Sequence, residues 1–383
     1  MRGRPNDPRK CCAPVPQTPV RAHNSLAPTR IPDAHSLPLN TENTMNRTTL
    51  FTALASASLA TAALLSTVSG VSAEDGEASL LARAQAIFKP LPAAAEAPDR
   101  PLTPERVSLG RVLFFEPRVS SDGKQSCAEC HQPMFYGTDA LAESVGNKGR
   151  QLPRNVPTVF NTALQFLQHY GGNRVDVEEQ ALKALVSPLA YGNADFAAAE
   201  ARLRAIPGYR PLFEKAFPGE AEPITAKNWS LAIGAYERTL LTPAPFDKYL
   251  EGDTSALPPQ ARQGLEKFMS YGCAGCHSGV TVGGQMFQKF GLTADYWTLT
   301  GSTEKELLKG RDKGRFHDTK DDADSYMFKV QQLRNVAMTA PYFHDGSVAT
   351  LPDAVRVMGK LQLGRDLNDA DVSDIVAFLE TLT

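Results

Sequence analysis

The sequence lacks an excess of either charge and, apart from one stretch near its start, any long apolar run. Its 40 Lys and Arg residues nearly balance 42 Asp and Glu residues, for a formal net charge of −2. It has no basic stripe to release phosphate counterions, which argues against nucleic acid as a partner. Beyond residue 73 no segment approaches the roughly 20 apolar residues of a membrane span. We therefore expect no membrane span in the processed chain.

The apolar stretch near the start has the organisation of a secretory signal peptide. Residues 45–73 begin with methionine, carry Arg47, continue through an apolar run at 50–65 and close on small residues before an acidic pair. This order is typical of a cleavable signal peptide, and the alternative is an uncleaved membrane anchor. We expect residues 1–44 to be a non-translated or disordered extension. The processed protein is then predicted to be periplasmic.

Removal of the first 73 residues changes the charge balance. That segment holds seven basic and three acidic residues, so 33 basic and 39 acidic residues remain, a net charge of −6. A mildly acidic surface suits a small basic redox protein as partner.

Cysteine is scarce, and its spacing is the strongest signal in the chain. Four cysteines follow the predicted signal peptide, in two C-x-x-C-H motifs: Cys127-Ala-Glu-Cys130-His131 and Cys273-Ala-Gly-Cys276-His277. This is the attachment signature of c-type haem, in which two thiols bond the porphyrin edge and the adjacent histidine ligates iron. A thioredoxin-like pair does not require the histidine, and zinc prefers four closed ligands. Disulfides are the third alternative. Two copies of the motif favour two covalently bound haem c groups.

The ligand on the other face of each haem decides between electron transfer and catalysis. Methionine opposite histidine raises the reduction potential, whereas an open face admits a small oxidant. The other histidines and methionines of the processed chain are His169, His317, His344, Met134, Met269, Met286, Met327, Met338 and Met358. Composition alone does not choose among them.

Three segments resemble one known family, the bacterial dihaem cytochrome c peroxidases, which are related to the dihaem oxidase that matures methylamine dehydrogenase. The segments are Leu113–Arg118, Gly283–Gly291 and, most specifically, Phe328–Leu363. The resemblance extends over roughly residues 85–383. It implies hydrogen peroxide as substrate, a small cytochrome c as electron donor and a possible homodimer.

The resemblance also implies ligands. It makes Met358 the second ligand of the haem on His277, which would be the higher-potential, electron-accepting haem. It further implies one calcium ion, bound by the side chain of Asn155 and the backbone carbonyls of Thr339 and Pro341. Oxygen ligands of this kind suit a hard cation.

The N-terminal half departs from the family pattern. Asn147 occupies the place of a displaceable histidine ligand, so the first haem is expected to lack a protein sixth ligand. Ala190 occupies the place of the acid/base glutamate, whose loss is expected to slow proton transfer. Gln180 matches the active-site glutamine, and Tyr170 replaces the tryptophan between the haems.

Several residues remain candidates for the missing chemistry. Tyr170, Tyr191 and His169 are possible substitutes for the glutamate. His344 is a family-pattern residue for which a structural role is favoured over a catalytic one. Arg334 is a candidate partner of a haem propionate.

The fold is expected to be mainly α, with two tandem cytochrome c-like domains that each hold one covalent haem. The predicted domains are residues 74–240, with the peroxidatic haem, and 241–383, with the electron-transfer haem. Helical spacing of apolar residues is found in Phe196–Ile206, Ala226–Leu241, Pro259–Ser270 and the last segment, for which Asn368 is the expected N-cap.

Three functions remain open. The first is a peroxidase that reduces hydrogen peroxide to water. The second is an oxidase that uses high-valent iron on a protein or small molecule. The third is a non-enzymatic electron carrier whose first haem is closed by an unrecognised ligand.

Overall fold

The computed structural model describes residues 73–301 and 310–383. The expected extension and almost the whole expected signal peptide lie outside these ranges. None of the helices within them is long and apolar enough to cross a membrane.

The described chain is mainly helical, as predicted. The α-helices are α1 (Ala73–Ile87), α2 (Pro104–Phe114), α3 (Cys127–Cys130), α4 (Val177–Ala184), α5 (Phe196–Arg204), α6 (Tyr209–Ala216), α7 (Ala226–Glu237), α8 (Pro245–Leu250), α9 (Pro259–Ser270), α10 (Tyr296–Thr300), α11 (Phe316–Thr319), α12 (Leu351–Leu363) and α13 (Asp369–Glu380). Short 3₁₀ turns span Pro133–Phe135, Asn147–Gly149, Thr162–Leu164, Thr254–Ala256, Cys273–Gly275, Asp322–Asp324 and Val336–Met338. Two strands, β1 (Phe287–Lys289) and β2 (Met327–Lys329), pair antiparallel, with Phe287 opposite Lys329.

Helix caps explain where the predicted helices begin. The side chain of Asn368 accepts a hydrogen bond from the backbone N–H of Asp371 and starts α13, which confirms the predicted N-cap. Asp195 caps α5 and Thr225 caps α7 in the same way. Each cap satisfies one backbone N–H that the first helical turn leaves without a partner.

Two apolar cores lie along the chain. The first is built from residues 109–233 and the second from residues 80–88 and 246–382. Each contains one close helix crossing at a glycine: Gly110 of α2 lies against the Ala232 carbonyl, and Gly264 of α9 lies against the Asp374 carbonyl. A β-carbon on either glycine would approach its carbonyl oxygen to 1.8 Å. The repeated crossing is the structural counterpart of the two repeated cysteine motifs.

The first described helix, α1, belongs to the second core. Leu80, Ala84 and Phe88 pack with residues from the C-terminal half of the chain. The Phe88 ring meets Phe246 edge-on at 5.3 Å between centroids. The predicted boundary at residue 240 therefore places α1 with one half of the sequence while its packing partners lie in the other. The two domain ranges stay a prediction.

Arg334 does not serve the role that the sequence suggested. Its guanidinium is fully buried, donates two hydrogen bonds of 2.8 and 2.7 Å to the carboxylate of Asp247, and donates a third to the Val280 carbonyl. The same carboxylate accepts from the backbone N–H groups of Leu91 and Ala244. The predicted pairing with a propionate is wrong, because the buried guanidinium already bonds Asp247 through two of its nitrogens and the Val280 carbonyl through the third.

We expect Asp247→Ala to destabilise the second core strongly. The substitution leaves the Arg334 cation buried without its carboxylate, which typically costs about 3–5 kcal/mol. Chemical denaturation of the variant measures the loss. Asp366→Ala is the control, because Asp366 pairs with Lys360 at the surface, where such pairs contribute about 1 kcal/mol or less. An equal loss in both variants would contradict the expectation.

Candidate active site

One cavity of about 740 Å³ connects the two cysteine motifs. Most of its lining is apolar. The residues from the two motifs and from the predicted methionine ligand that line it are Cys127, Cys130, His131, Cys273, Cys276, His277 and Met358. The sequence thus brings both motifs, 146 residues apart, to one continuous space.

The first motif presents its histidine by a short helix and one hydrogen bond. The backbone N–H of His131 bonds the Cys127 carbonyl at 2.9 Å and closes the turn. The ring Nδ1 lies 3.0 Å from the Gly137 carbonyl, which only accepts, so Nδ1 donates. Burial lowers the pKa of His131. The ring is therefore neutral, with the lone pair of Nε2 free for a metal.

The second motif repeats the backbone turn of the first. The backbone N–H of His277 bonds the Cys273 carbonyl at 3.0 Å. Burial lowers the pKa of His277 to about 4, and the carbonyls of Val282 and Gln331 offset part of this, although neither completes a hydrogen bond to Nδ1. Gly283 lies against the ring with a φ of +126°, where a β-carbon would come within 2.3 Å of the Gln331 carbonyl oxygen. Only glycine fits this position.

Burial raises the pKa values of three of the four motif cysteines. The pKa of Cys127 is raised to about 12, and those of Cys130 and Cys273 to about 11. Neither pair forms a disulfide. Across residues 73–301 and 310–383, no cluster of three or more His, Cys, Asp or Glu side chains is placed to hold a metal. The disulfide and zinc alternatives therefore receive no support from the described residues.

A buried lysine on the cavity wall supports the haem interpretation. Lys329 is 3% exposed, and its ammonium donates to the side-chain oxygen of Gln165. Burial lowers the pKa of Lys329 to about 7. No ion pair found within the described ranges includes it. A haem carries carboxylates, and such an anion beside Lys329 would offset the cost of burying its charge.

Comparison with known proteins decides the family. The sequence model described as "Di-haem cytochrome c peroxidase" matches residues 104–255. The chain is 43% identical to the cytochrome c551 peroxidase of Pseudomonas aeruginosa, over 79% of this chain and 85% of that protein. The chain belongs to the di-haem cytochrome c peroxidase family. As a member of this family, it binds two haems.

Two further matches extend the comparison. The methylamine utilization protein MauG of Methylorubrum extorquens is 34% identical, over 83% of this chain and 90% of that protein. The crystal structure of a MauG-like protein associated with microbial copper homeostasis superposes with a TM-score of 0.67 at 30% identity, and covers 76% of this chain and 93% of its own. The fold of two cytochrome c-like domains is therefore the family fold, as predicted.

Asn147, which the family resemblance predicts to replace a displaceable histidine ligand, is held firmly by hydrogen bonds. Its side chain is buried, and its amide nitrogen donates to the Ser121 hydroxyl at 2.8 Å and to the Tyr191 carbonyl at 2.7 Å. Gly192 packs so closely that a β-carbon there would lie 2.0 Å from this nitrogen. Asn147 is not among the residues that line the cavity.

The residues predicted for the peroxide side all belong to the cavity wall. Gln180 of α4, Ala190 and His169 line the cavity, and the Gln180 side chain lies close enough to the His169 ring to raise its pKa. Tyr191 also lines the cavity, but its hydroxyl lies 3.5 Å from the Cys127 sulfur. Of the substitutes considered from sequence, His169 is the one beside Gln180.

Tyr170 and His344 form an aromatic wall within the same cavity. The Tyr170 hydroxyl donates to the side-chain oxygen of Asn155 and to the Phe343 carbonyl, each at 3.4 Å. The His344 ring lies 4.7 Å from the Phe328 ring centroid, and its Nε2 is buried with no hydrogen-bond partner. Burial lowers the pKa of His344. These contacts place both rings in the cavity without assigning either a chemical step.

The three predicted calcium ligands also line the cavity. Asn155 is held by its backbone N–H on the His344 carbonyl and by its side-chain nitrogen on the Leu141 carbonyl, both at 2.8 Å. These bonds fix which way the amide points. Its oxygen is thereby directed away from Leu141.

Among the polar residues of the cavity that were not anticipated from the sequence, three carry a buried ionisable group or a buried donor. Besides Lys329, these are Glu237, whose pKa burial raises to about 8 with nearby Glu178 adding to the rise, and Arg174, whose Nε is buried without a partner. No local pattern marks them. Glu237 ends an ordinary helix, and Lys329 lies on a three-residue strand.

Proposed function

We propose that this chain is a periplasmic peroxidase that reduces hydrogen peroxide to water with electrons from a small c-type cytochrome. The two haems, when bound, supply the iron that carries electrons and the coordination position at which peroxide binds. Cys127 and Cys130 would hold the first, with His131 as its ligand. Cys273 and Cys276 would hold the second, with His277 and Met358 as its ligands.

The observation that carries the proposal is the position of Asn147. Asparagine is a poor iron ligand, and two hydrogen bonds hold this side chain outside the cavity. The first haem would then keep one face open in every redox state. A reactant the size of hydrogen peroxide needs such a face, whereas a simple electron carrier does not.

The chain's own residues supply orientation and a dry environment. The Gly137 carbonyl fixes the His131 ring through Nδ1, which strengthens Nε2 as a ligand. Gln180 offers an amide for hydrogen bonding on the side where peroxide enters. Apolar lining excludes bulk water, so these polar contacts act more strongly than they would in solvent.

Calcium and dimer formation are proposed on family resemblance. Asn155, Thr339 and Pro341 would supply oxygen ligands to one calcium ion, with water completing the shell. Their common position on the cavity wall supports this. A homodimer and an acidic surface for a small basic donor complete the proposal.

Steady-state turnover and spin state test the function. We expect the exported, oxidised protein to show a high-spin ferric signal that shifts with cyanide, because the first haem is open. We also expect turnover of hydrogen peroxide with a reduced small cytochrome c to exceed that of free haem by several orders of magnitude. Only low-spin signals, together with turnover no faster than free haem, would reject the proposal in favour of an electron carrier.

A second candidate is favoured by Tyr170. A buried phenol in place of the family's tryptophan can pass an electron only if its proton also moves, and burial raises its pKa. If electrons enter slowly, the peroxide-oxidised state of the protein would persist long enough to oxidise another protein or a small molecule. A two-electron-oxidised state that persists after peroxide addition would support this alternative. Its immediate return to the ferric state would count against it.

A further inference from the structure

A tight loop brings His169 into the cavity. The backbone bridge between Gln168 and Arg174 closes this loop, with a hydrogen bond of 2.9 Å from Gln168 N–H to the Arg174 carbonyl. The backbone of His169 has a φ of +68°, in the left-handed region that few non-glycine residues adopt. The loop is therefore shaped to turn this side chain inward. Gly171 at its tip lies against Asp318, where a β-carbon would come within 2.3 Å of the carboxylate.

A chain of three side chains sets the tautomer of His169. The exposed carboxylate of Asp318 only accepts, so the Asn173 nitrogen, 2.8 Å away, donates to it. The Asn173 oxygen then faces Nδ1 of His169, also at 2.8 Å, and an amide oxygen only accepts. Nδ1 must carry the proton. Nε2 is therefore left with its lone pair.

The surroundings of His169 keep it neutral. The pKa of His169 is lowered to about 4, and burial is the largest cause. The Asn173 and Gln180 side chains oppose the lowering, while the nearby Arg174 and His131 add to it. The imidazole is a free base at neutral pH. Arg174 also lines the cavity, and its Nε is a buried donor without a hydrogen-bond partner.

We propose that His169 takes a proton from hydrogen peroxide at the His131 haem and returns it to the departing oxygen, in place of the carboxyl group absent at Ala190. This inference rests on the proposed peroxidase function. Nε2 accepts the proton from the oxygen that approaches the iron. It then donates that proton to the second oxygen as the O–O bond breaks and water leaves.

The electrons and protons of the reaction balance when the small cytochrome is the donor. Two electrons from the small cytochrome and two protons from solvent convert the remaining oxygen to a second water. Arg174 donates a hydrogen bond to the departing oxygen. Asn173 and Asp318 are positioning residues, because they reach peroxide only through the ring.

His169→Asn is the decisive variant, since asparagine tolerates the left-handed backbone. We expect kcat/KM for hydrogen peroxide to fall roughly 10²- to 10⁴-fold, the usual contribution of a positioned acid/base. His317→Asn is the matched control. His317 is exposed and lies outside the cavity lining, and its ring accepts a hydrogen bond from the Lys313 N–H, so kcat/KM should stay unchanged.

Cyanide binding supplies a readout that needs no turnover. Hydrogen cyanide must give up its proton to bind as an anion, and Nε2 would accept it. Optical titration should show affinity lower by roughly tenfold to a hundredfold in His169→Asn and unchanged in His317→Asn. If the wild type fails to turn over peroxide, the proposed function fails and this titration alone decides the role of His169.

Asn173→Leu tests the positioning residues and does not alter the imidazole itself. It should lower kcat/KM and also move the acid limb of the pH profile to lower pH, because the bond that raises the pKa of His169 is lost. Purely structural damage would not move that limb. The proposal is overturned if His169→Asn matches His317→Asn within twofold in both peroxide turnover and cyanide affinity.

Discussion

Replacing Cys127 and Cys130 together by alanine is expected to remove one haem and all peroxidase turnover. Both thioether bonds to the first haem are lost, and the His131 ring alone would have to retain it. The exported variant should therefore be lighter by one haem than the wild type by intact-mass analysis. Turnover with peroxide should fall to background, because the open coordination position disappears with that haem.

The matched variant replaces Cys273 and Cys276. It should lose the same mass, but it should keep the high-spin signal that shifts with cyanide, since that signal comes from the haem on His131. The two variants thus separate the reactive haem from the electron-accepting one. Loss of the cyanide-sensitive signal from the second variant and its retention in the first would reverse our assignment. An unchanged mass in both variants would contradict the haem interpretation.

Met358→Leu is expected to lower the reduction potential of the second haem by on the order of 0.1 V or more. A methionine ligand raises the potential of a haem, and axial ligands tune haem potentials over about 0.8 V. Leucine has nearly the same volume, so packing of α12 should survive. Spectroelectrochemical titration measures the shift. Turnover with the donor cytochrome should fall with the driving force for electron entry.

Met269→Leu is the control for this experiment. Met269 packs at the edge of the second core and is not part of the cavity lining. Its replacement should leave both potentials as they are. If Met358→Leu and Met269→Leu give the same potentials, Met358 is not a ligand and the second haem is closed by another residue.

The covalent chemistry of the site could be predicted from sequence because its signal is local. Two thiols and a histidine within five residues must share one turn, and the structure builds that turn twice. The N-termini of helices could be predicted for the same reason, because the Asn368 cap needs only the N–H of Asp371, three residues away. The family resemblance predicted the fold, which is confirmed. It also predicted roles for Gln180 and Met358, which line the cavity and whose roles stay predictions.

The rest of the site depends on contacts that no local pattern records. Arg334 was assigned to a propionate because its fork suits carboxylates, yet Asp247, 87 residues away, supplies the carboxylate. The relay to His169 likewise needs Asp318, which lies 145 residues beyond Asn173. Only the folded chain shows that these groups meet. Sequence reasoning left His169 as one of three substitutes, and its contact with Gln180 separates it from the others.

The packing of α1 has a consequence for how the chain acquires its structure. Leu80, Ala84 and Phe88 leave the ribosome early, but the core to which they belong extends to residue 382. Residues 109–233 contain a complete apolar core of their own and can condense first. The apolar face of α1 then stays exposed until α13 has been synthesised. A chain truncated before α13 would expose that face, and chaperones that bind nascent chains would bind there.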